Sequence, residues 1–228
     1  GPDGKPANIY KNLKPESIRQ EVESSLQRLQ TDYIDLYQCH WPDKTTPIED
    51  TAEILQKLKD EGKVRAIGVS NFTPAMMSDV LKIAELSSDQ PKYNLLDRDI
   101  ERDVIPYALK NNVSLIVYSP IAQGLLTGKI TSERQYPEGD YRQKDPRFHK
   151  KFRDNLEPAL HVLQVIAEQR GTTAGNVAMA WLLHQSGVTG IIAGIRNERQ
   201  AEENAQAASI SLTKGEVDEI DRAFAKRF

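Results

Sequence analysis

T-D-Y-I-D-L-Y-Q-C-H-W-P-D, residues 31–43, crowds aromatic and aliphatic side chains into a short run that breaks off at a proline. Tyr33, Ile34, Leu36 and Tyr37 supply the apolar surface, and residues 33–39 read as a buried strand. Pro42 has no N–H for a sheet ladder and pushes Trp41 toward extended or turn geometry, so the strand ends there. His40 and Trp41 are thereby set at the carboxyl end of a buried strand. In parallel α/β sheets and barrels that edge is where ligands bind. Two readings of His40 stand side by side: a core histidine satisfied by a backbone neighbour, and a ligand-facing group at a strand tip.

The chain has 228 residues, 39% hydrophobic and 28% charged, enough for one large core in a globular domain. Its net charge of -3 comes from interspersed acids and bases. No basic stripe calls for nucleic acid and no apolar run approaches membrane-span length, so neither is expected as a partner. Cys39 is the one cysteine, without an internal disulfide partner, and its place inside the strand points to packing. No signal peptide opens the chain, so the cytoplasm is the expected compartment. Gly1-Pro2 reads equally as a tag remnant or a native loop.

Residues 1–14 carry no apolar period and read as a loop. Pro15 and Glu16 suit a helix start, and Ile18, Val22, Leu26 and Leu29 recur at helical spacing. After the His-Trp-Pro loop a second helix spans 48–61, stopped by Gly62. Residues 64–69 form the next strand, and Thr73-Pro74 caps a helix running to residue 86. A weak strand signal covers 90–94, a helix 98–110 and a clear strand 114–118. Residues 121–154 read as a long irregular stretch, functional or mobile. Helices follow at 155–170 and 174–184, a strand at 188–193, and helices at 198–208 and 213–228, the last opened by a Thr213–Glu216 capping box.

Strand, loop and helix repeat about every 30 residues, the rhythm of βαβ units. Five strands are predicted, near 33–39, 64–69, 89–93, 114–118 and 189–193. A closed barrel has eight in roughly 250 residues. The expected fold class is therefore α/β, a (β/α)8 TIM barrel with about five of its eight βα units present. One barrel domain is expected over residues 1–228, with the N-terminal βα units missing from the chain.

Four strand ends share one chemical character: His40-Trp41, Ser70-Asn71, Gln90 with Tyr93-Asn94, and Tyr118-Ser119-Pro120. Hydroxyl, carboxamide and imidazole groups beside flat aromatic rings suit a planar, amide-bearing ring such as nicotinamide. Singly each is ordinary: Ser-Asn is a common turn and Tyr-Ser-Pro a common strand exit. Their order and regular spacing carry the signal. At the fifth strand end, Gly194, Ile195 and Arg196 precede a helix bearing Gln200, Glu203 and Asn204, which reads either as a solvated helix start or as an adenosine and phosphate site. Gly124, Gly128 and Lys129 suit a pyrophosphate, since glycine allows close backbone approach and lysine supplies a charge. No G-x-G-x-x-G occurs, which disfavours a Rossmann fold.

These residues together resemble the aldo-keto reductases. The resemblance runs through S-L-Q-R-L-Q-T-D-Y-I-D-L-Y-Q-C-H-W-P-D, G-K-V-R-A-I-G-V-S-N-F, Q-P-K-Y-N-L-L-D-R, Y-S-P-I-A-Q-G-L-L-T-G-K and A-G-I-R-N-E-R-Q-A-E-E-N, and covers essentially the whole chain. It is closest to the bacterial, cytosolic branch with a long loop after the Tyr-Ser-Pro strand. The resemblance implies reduction of aldehydes and ketones with NADPH or NADH on a (β/α)8 barrel. It implies that His40 is catalytic and orients the substrate carbonyl, and that Trp41 walls the substrate pocket. Ser70, Asn71 and Gln90 are implied to hold the nicotinamide carboxamide, and Tyr118 to stack on the ring. Ser119, Pro120, Ile121, Gly124, Leu125 and Lys129 are implied to strap the pyrophosphate. Gly194, Ile195, Arg196, Gln200, Glu203 and Asn204 are implied to bind the adenosine end. No metal is implied.

The family's tyrosine acid, lysine and aspartate are expected upstream of this chain, since Tyr10 and Lys11 do not match them. The expectation is a carbonyl reductase of which this is a fragment. A nucleotide-binding regulatory subunit, or a truncated barrel completed by another chain, is the alternative. Arg196 favours NADPH through a 2′-phosphate, while Gln200 stands where many NADPH-preferring relatives carry arginine. Substrate and oligomeric state are not legible in the sequence.

Overall fold

The computed structural model describes residues 11–131 and 133–225. The chain divides into two compact units: Gly1–Pro91 with Pro106–Leu115, and Lys92–Ile105 with Ile116–Phe228.

The first unit alternates helix and strand: α1 (Pro15–Leu29), β1 (Ile34–Cys39), α2 (Ile48–Asp60), β2 (Val64–Val69), α3 (Pro74–Leu81) and β3 (Leu86–Asp89). It also holds most of α4 (Val104–Lys110) and the start of β4 (Ser114–Tyr118). β1, β2, β3 and β4 pair in parallel in that order. One register row runs through Cys39, Val69, Asp89 and Leu115, so the carboxyl ends of β1, β2 and β3 are level. α1 starts on Pro15, where a missing N–H costs nothing, and stops where Gln30 turns left-handed at φ 55°. Its Ile18, Val22 and Leu26 recur every fourth residue and are buried. α3 is capped by Thr73, whose hydroxyl accepts from the Met76 N–H. Leu55, Leu58, Ile67, Met77 and Leu115 are fully buried at the centre of this unit.

The second unit carries the remainder of β4, then α5 (Lys150–Gln169), α6 (Ala174–His184), β5 (Val188–Ile192), α7 (Glu198–Ala205) and α8 (Lys214–Phe224). β5 follows β4 in the five-stranded sheet order β1-β2-β3-β4-β5. Thr173 caps α6, and the Thr213–Glu216 capping box opens α8 as the sequence predicts. Trp181, Tyr93, Leu125, Leu126, Leu156 and Leu163 fill the core of this unit.

The fold is α/β with a parallel sheet, and several sequence boundaries move. The third strand occupies Leu86–Asp89 and not 89–93, and α3 ends at Leu81 and not residue 86. That strand is L-S-S-D, without apolar alternation, and Pro91 cannot continue a ladder. The helix expected over 98–110 is broken: a 3-10 turn at Asp99–Glu101 precedes α4, and Asp103 accepts from the Val104 N–H. The stretch 121–154 is less irregular than expected, with 3-10 turns at Ala122–Thr127, Tyr141–Gln143 and Pro146–Phe148. α5 starts at Lys150 and accommodates Pro158. The helix expected over 198–208 ends at Ala205 and passes into a 3-10 turn. β1 is half-buried, not buried, and Tyr33 is exposed beneath the Arg65 guanidinium at 3.7 Å. Tyr10 lies outside the described residues.

Candidate functional site

His40, Ser70 and Gln90 are the residues immediately after the row Cys39–Val69–Asp89. Parallel strands stand about 4.8 Å apart, so three neighbouring strands hand these residues to one edge within roughly 10 Å. His40 is exposed, and its ring has no hydrogen-bond partner among the described residues. That disposes of the core-histidine reading. The Trp41 ring lies 6.2 Å from the imidazole, tilted by 52°, with Lys11 Nζ 4.3 Å above it. The loop that carries them is pinned by buried Asp43. Its carboxylate accepts from the Leu13 and Thr45 N–H groups at 3.0 and 2.8 Å and from the Thr45 and Thr46 hydroxyls, both at 2.7 Å. The Leu13 backbone and these hydroxyls hold the carboxyl far below the usual carboxylate range.

Ser70 is buried, and its hydroxyl donates to the Gln90 carbonyl at 2.7 Å. Asn71 follows with φ 61°, a left-handed conformation that asparagine tolerates better than most residues, and its Nδ2 donates to Ser70 Oγ at 2.9 Å. Gln90 is tied at both ends: its N–H donates to the Val69 carbonyl at 2.9 Å and its Nε2 to Gln38 Oε1 at 3.0 Å. Its Oε1 has no partner among the described residues. Behind this edge Asp89 is fully buried. Its Oδ1 accepts from the Phe72 N–H at 3.5 Å, its Oδ2 has no partner, and burial pushes its carboxyl up to about 7.

The remaining predicted residues lie in the second unit. Tyr118, at the end of β4, is half-buried and its carbonyl accepts from the Tyr93 N–H at 3.3 Å. Beyond it the backbone turns left-handed at Ser119, Ala122, Gln123, Gly124 and Gly128, with φ between 46° and 99°. Left-handed non-glycine residues cost roughly 1–2 kcal/mol each, so this strap is strained. Pro120 and Leu125 are buried. Ile121 is half-buried, and Lys129 is exposed with its N–H on Thr127 Oγ1 at 3.2 Å.

Gly194, Ile195 and Arg196 are exposed ahead of α7. Asn197 caps that helix through the Gln200 N–H at 3.0 Å. Gln200 Oε1 accepts from the Arg196 N–H at 2.9 Å, and Asn204 Nδ2 donates to the Gly194 carbonyl at 3.4 Å, so both side chains shape the loop. Glu203 pairs with Arg199 at 3.2 Å, and its carbonyl accepts from Asn176 Nδ2 at 2.8 Å. Asp140 of the preceding long loop is held down to about 2, chiefly by Arg142 and to a lesser degree by Arg196.

The sequence reading passed over Gln38, Ser88 and Asp89. A polar Gln38 between Tyr37 and Cys39, two residues before His40, was the available signal for the first. A cavity of about 620 Å3 lies elsewhere, between residues 95–102, Arg147, Phe152, Asp221 and Phe224, and none of the predicted site residues lines it.

A hydroxyl, two carboxamides and an unpartnered Gln90 oxygen at one edge fit the carboxamide of a nicotinamide. The model of the aldo/keto reductase family matches residues 4–225. The chain is 40% identical over 221 residues to the aldo-keto reductase YhdN of Bacillus subtilis (strain 168), covering 96% of this chain and 66% of that protein. It is 40% identical over 212 residues to the NADH-specific methylglyoxal reductase of Escherichia coli (strain K12), covering 92% of this chain and 64% of that protein. The chain thus spans about two thirds of the length of these relatives. Its fold is similar to that of the glycerol dehydrogenase AKR11B4 from Gluconobacter oxydans, with a TM-score of 0.94 and 39% identity over 99% of this chain and 68% of that one. Motif order, strand register and these likenesses agree, and the chain belongs to the aldo/keto reductase family.

Proposed function

We propose that the protein carrying this chain is an oxidoreductase that moves a hydride between NADPH and a small aldehyde or ketone. The observation that carries this reading is the level register of β1, β2 and β3, which delivers His40, Ser70 and Gln90 to one edge. A bound reduced nicotinamide supplies the hydride. Ser70, Asn71 and Gln90 bind the carboxamide and so fix which face of the ring meets the substrate. His40, exposed and unencumbered, donates a hydrogen bond to the substrate carbonyl oxygen and favours the negative charge that develops there. Trp41 excludes water from one side of the carbonyl. In the second unit, taken by itself, Tyr118 offers a ring for stacking, the strained strap from Ser119 to Gly128 suits a pyrophosphate, and exposed Arg196 suits a 2′-phosphate. The protein works in the cytoplasm, where buried Cys39 stays a thiol, without nucleic acid or membrane as partner.

The test is a titration of the protein with NADPH and with NADH, followed by addition of small aldehydes and ketones while the reduced-cofactor absorbance is monitored. Saturable binding, tighter for NADPH, and carbonyl-dependent loss of absorbance are expected. Absence of dinucleotide binding overturns the reading. Binding without turnover replaces it with a nucleotide-binding role.

A further inference from the structure

Gln38 sits on β1 between three strands. Its Nε2 donates to Ser88 Oγ at 3.1 Å and to the Val69 carbonyl at 3.5 Å, and its Oε1 accepts from Gln90 Nε2 at 3.0 Å. A carbonyl oxygen can only accept, so the Val69 contact puts nitrogen on that side of the Gln38 amide and leaves its oxygen facing Gln90. Gln90 answers with its own nitrogen, and its Oε1 is the atom left over at the strand-tip edge. Gly68 makes room for the arrangement: a Cβ there lies 2.5 Å from Ser88 Oγ and 2.6 Å from Gln38 Cγ. Without the relay, Gln90 could present either end of its amide, since its two orientations have nearly the same shape.

We infer that Gln38 is a positioning residue that fixes the polarity of Gln90, so that the site presents a carbonyl oxygen and selects ligands whose amide donates a hydrogen bond. The inference rests on the nicotinamide reading of this edge. It predicts discrimination between a dinucleotide bearing a primary carboxamide and its 3-acetylpyridine analogue, whose methyl ketone has no donor.

The experiment measures binding of NADP+, its 3-acetylpyridine analogue and 2′-phospho-ADP-ribose, which lacks the ring. The proteins are the wild type, Gln38→Leu, Gln90→Ala and the double variant. The wild type is expected to prefer the carboxamide about tenfold, the worth of one good hydrogen bond. Gln38→Leu brings the two dinucleotides to near parity and leaves 2′-phospho-ADP-ribose unchanged. In the Gln90→Ala background it adds nothing. Ser88→Ala, which removes one anchor of the relay without touching Gln90, shifts the ratio in the same direction by less. A uniform loss across all three ligands overturns the inference, because it marks a packing role, and so does an unchanged ratio in Gln38→Leu. A wild type that binds no dinucleotide, or binds 2′-phospho-ADP-ribose equally well, removes the nicotinamide reading itself, an outcome visible before any variant is made.

Discussion

Replacing His40 with alanine is expected to lower carbonyl turnover by roughly 10²–10⁴-fold while dinucleotide affinity stays within about twofold. The split follows from position. The imidazole is exposed at the tip of β1, with no hydrogen-bond partner among the described residues. Removing it therefore leaves no buried group unsatisfied and opens no cavity in the core. The groups proposed to hold the carboxamide, Ser70, Asn71 and Gln90, are bonded among themselves and to Gln38, and none of those bonds passes through His40. What is lost is the donor to the carbonyl oxygen, which matters most as negative charge builds there. Steady-state kinetics beside a direct binding measurement checks this. A variant that binds cofactor tenfold more weakly, with turnover preserved, assigns His40 to cofactor binding instead.

The second large effect concerns Asp89. The Asp89→Asn variant is expected to gain stability relative to the wild type by roughly 3 kcal/mol as pH rises from about 5 to 8. Burial raises this carboxyl from 3.8 to about 7 in the fold, and the Phe72 N–H, which favours the ion, offsets only part of that rise. Between those two values the folded protein binds more protons than the unfolded chain. The contribution of Asp89 is therefore fully present below about pH 4 and is lost as pH rises through about 7, roughly 4 kcal/mol in all. Asparagine keeps an oxygen for the Phe72 N–H and does not titrate. Its amide NH2 falls where Oδ2 is now buried without a partner, which costs about 1–3 kcal/mol at every pH and so leaves the slope unaffected. The ion-paired carboxyls of Glu61 and Glu216, each lowered to about 2, act in a separate window: their contribution is present above about pH 4.5 and lost as pH falls. Urea midpoints for the two proteins at several pH values decide the matter. Parallel curves contradict the placement of Asp89 as a buried, titrating carboxyl.

The parts legible in the sequence were those with local causes. Pro42 announces the end of β1, and Thr73, Thr173 and Thr213 announce three helix starts, because cap and proline chemistry acts within a few residues. β3 was placed three residues too late because its four residues include two serines and an aspartate. It is held by pairing with β2 and by the Ser88–Gln38 hydrogen bond, and neither leaves a periodic trace. The relay through Gln38 and the buried carboxyl of Asp89 were illegible for the same reason: residues 38, 88 and 90 meet only once the register is known. The break before α4 did have a signal, Asp103 ahead of an apolar run, which an unbroken helical period concealed. In the 194–204 segment the residue types were legible and their hydrogen bonds within the loop were not. Gln200 and Asn204 turn out to bond the backbone of their own loop.

The claim on which everything turns is that a nicotinamide lies beside Trp41 at the edge made by β1, β2 and β3. Titrating reduced dinucleotide into the wild type and into Trp41→Phe, with tryptophan emission as the readout, tests it directly. Strong quenching with energy transfer to the reduced ring is expected in the wild type, and loss of most of that signal at unchanged affinity in the variant. Saturable binding with the same quenching in both proteins would put the ring elsewhere and contradict the account.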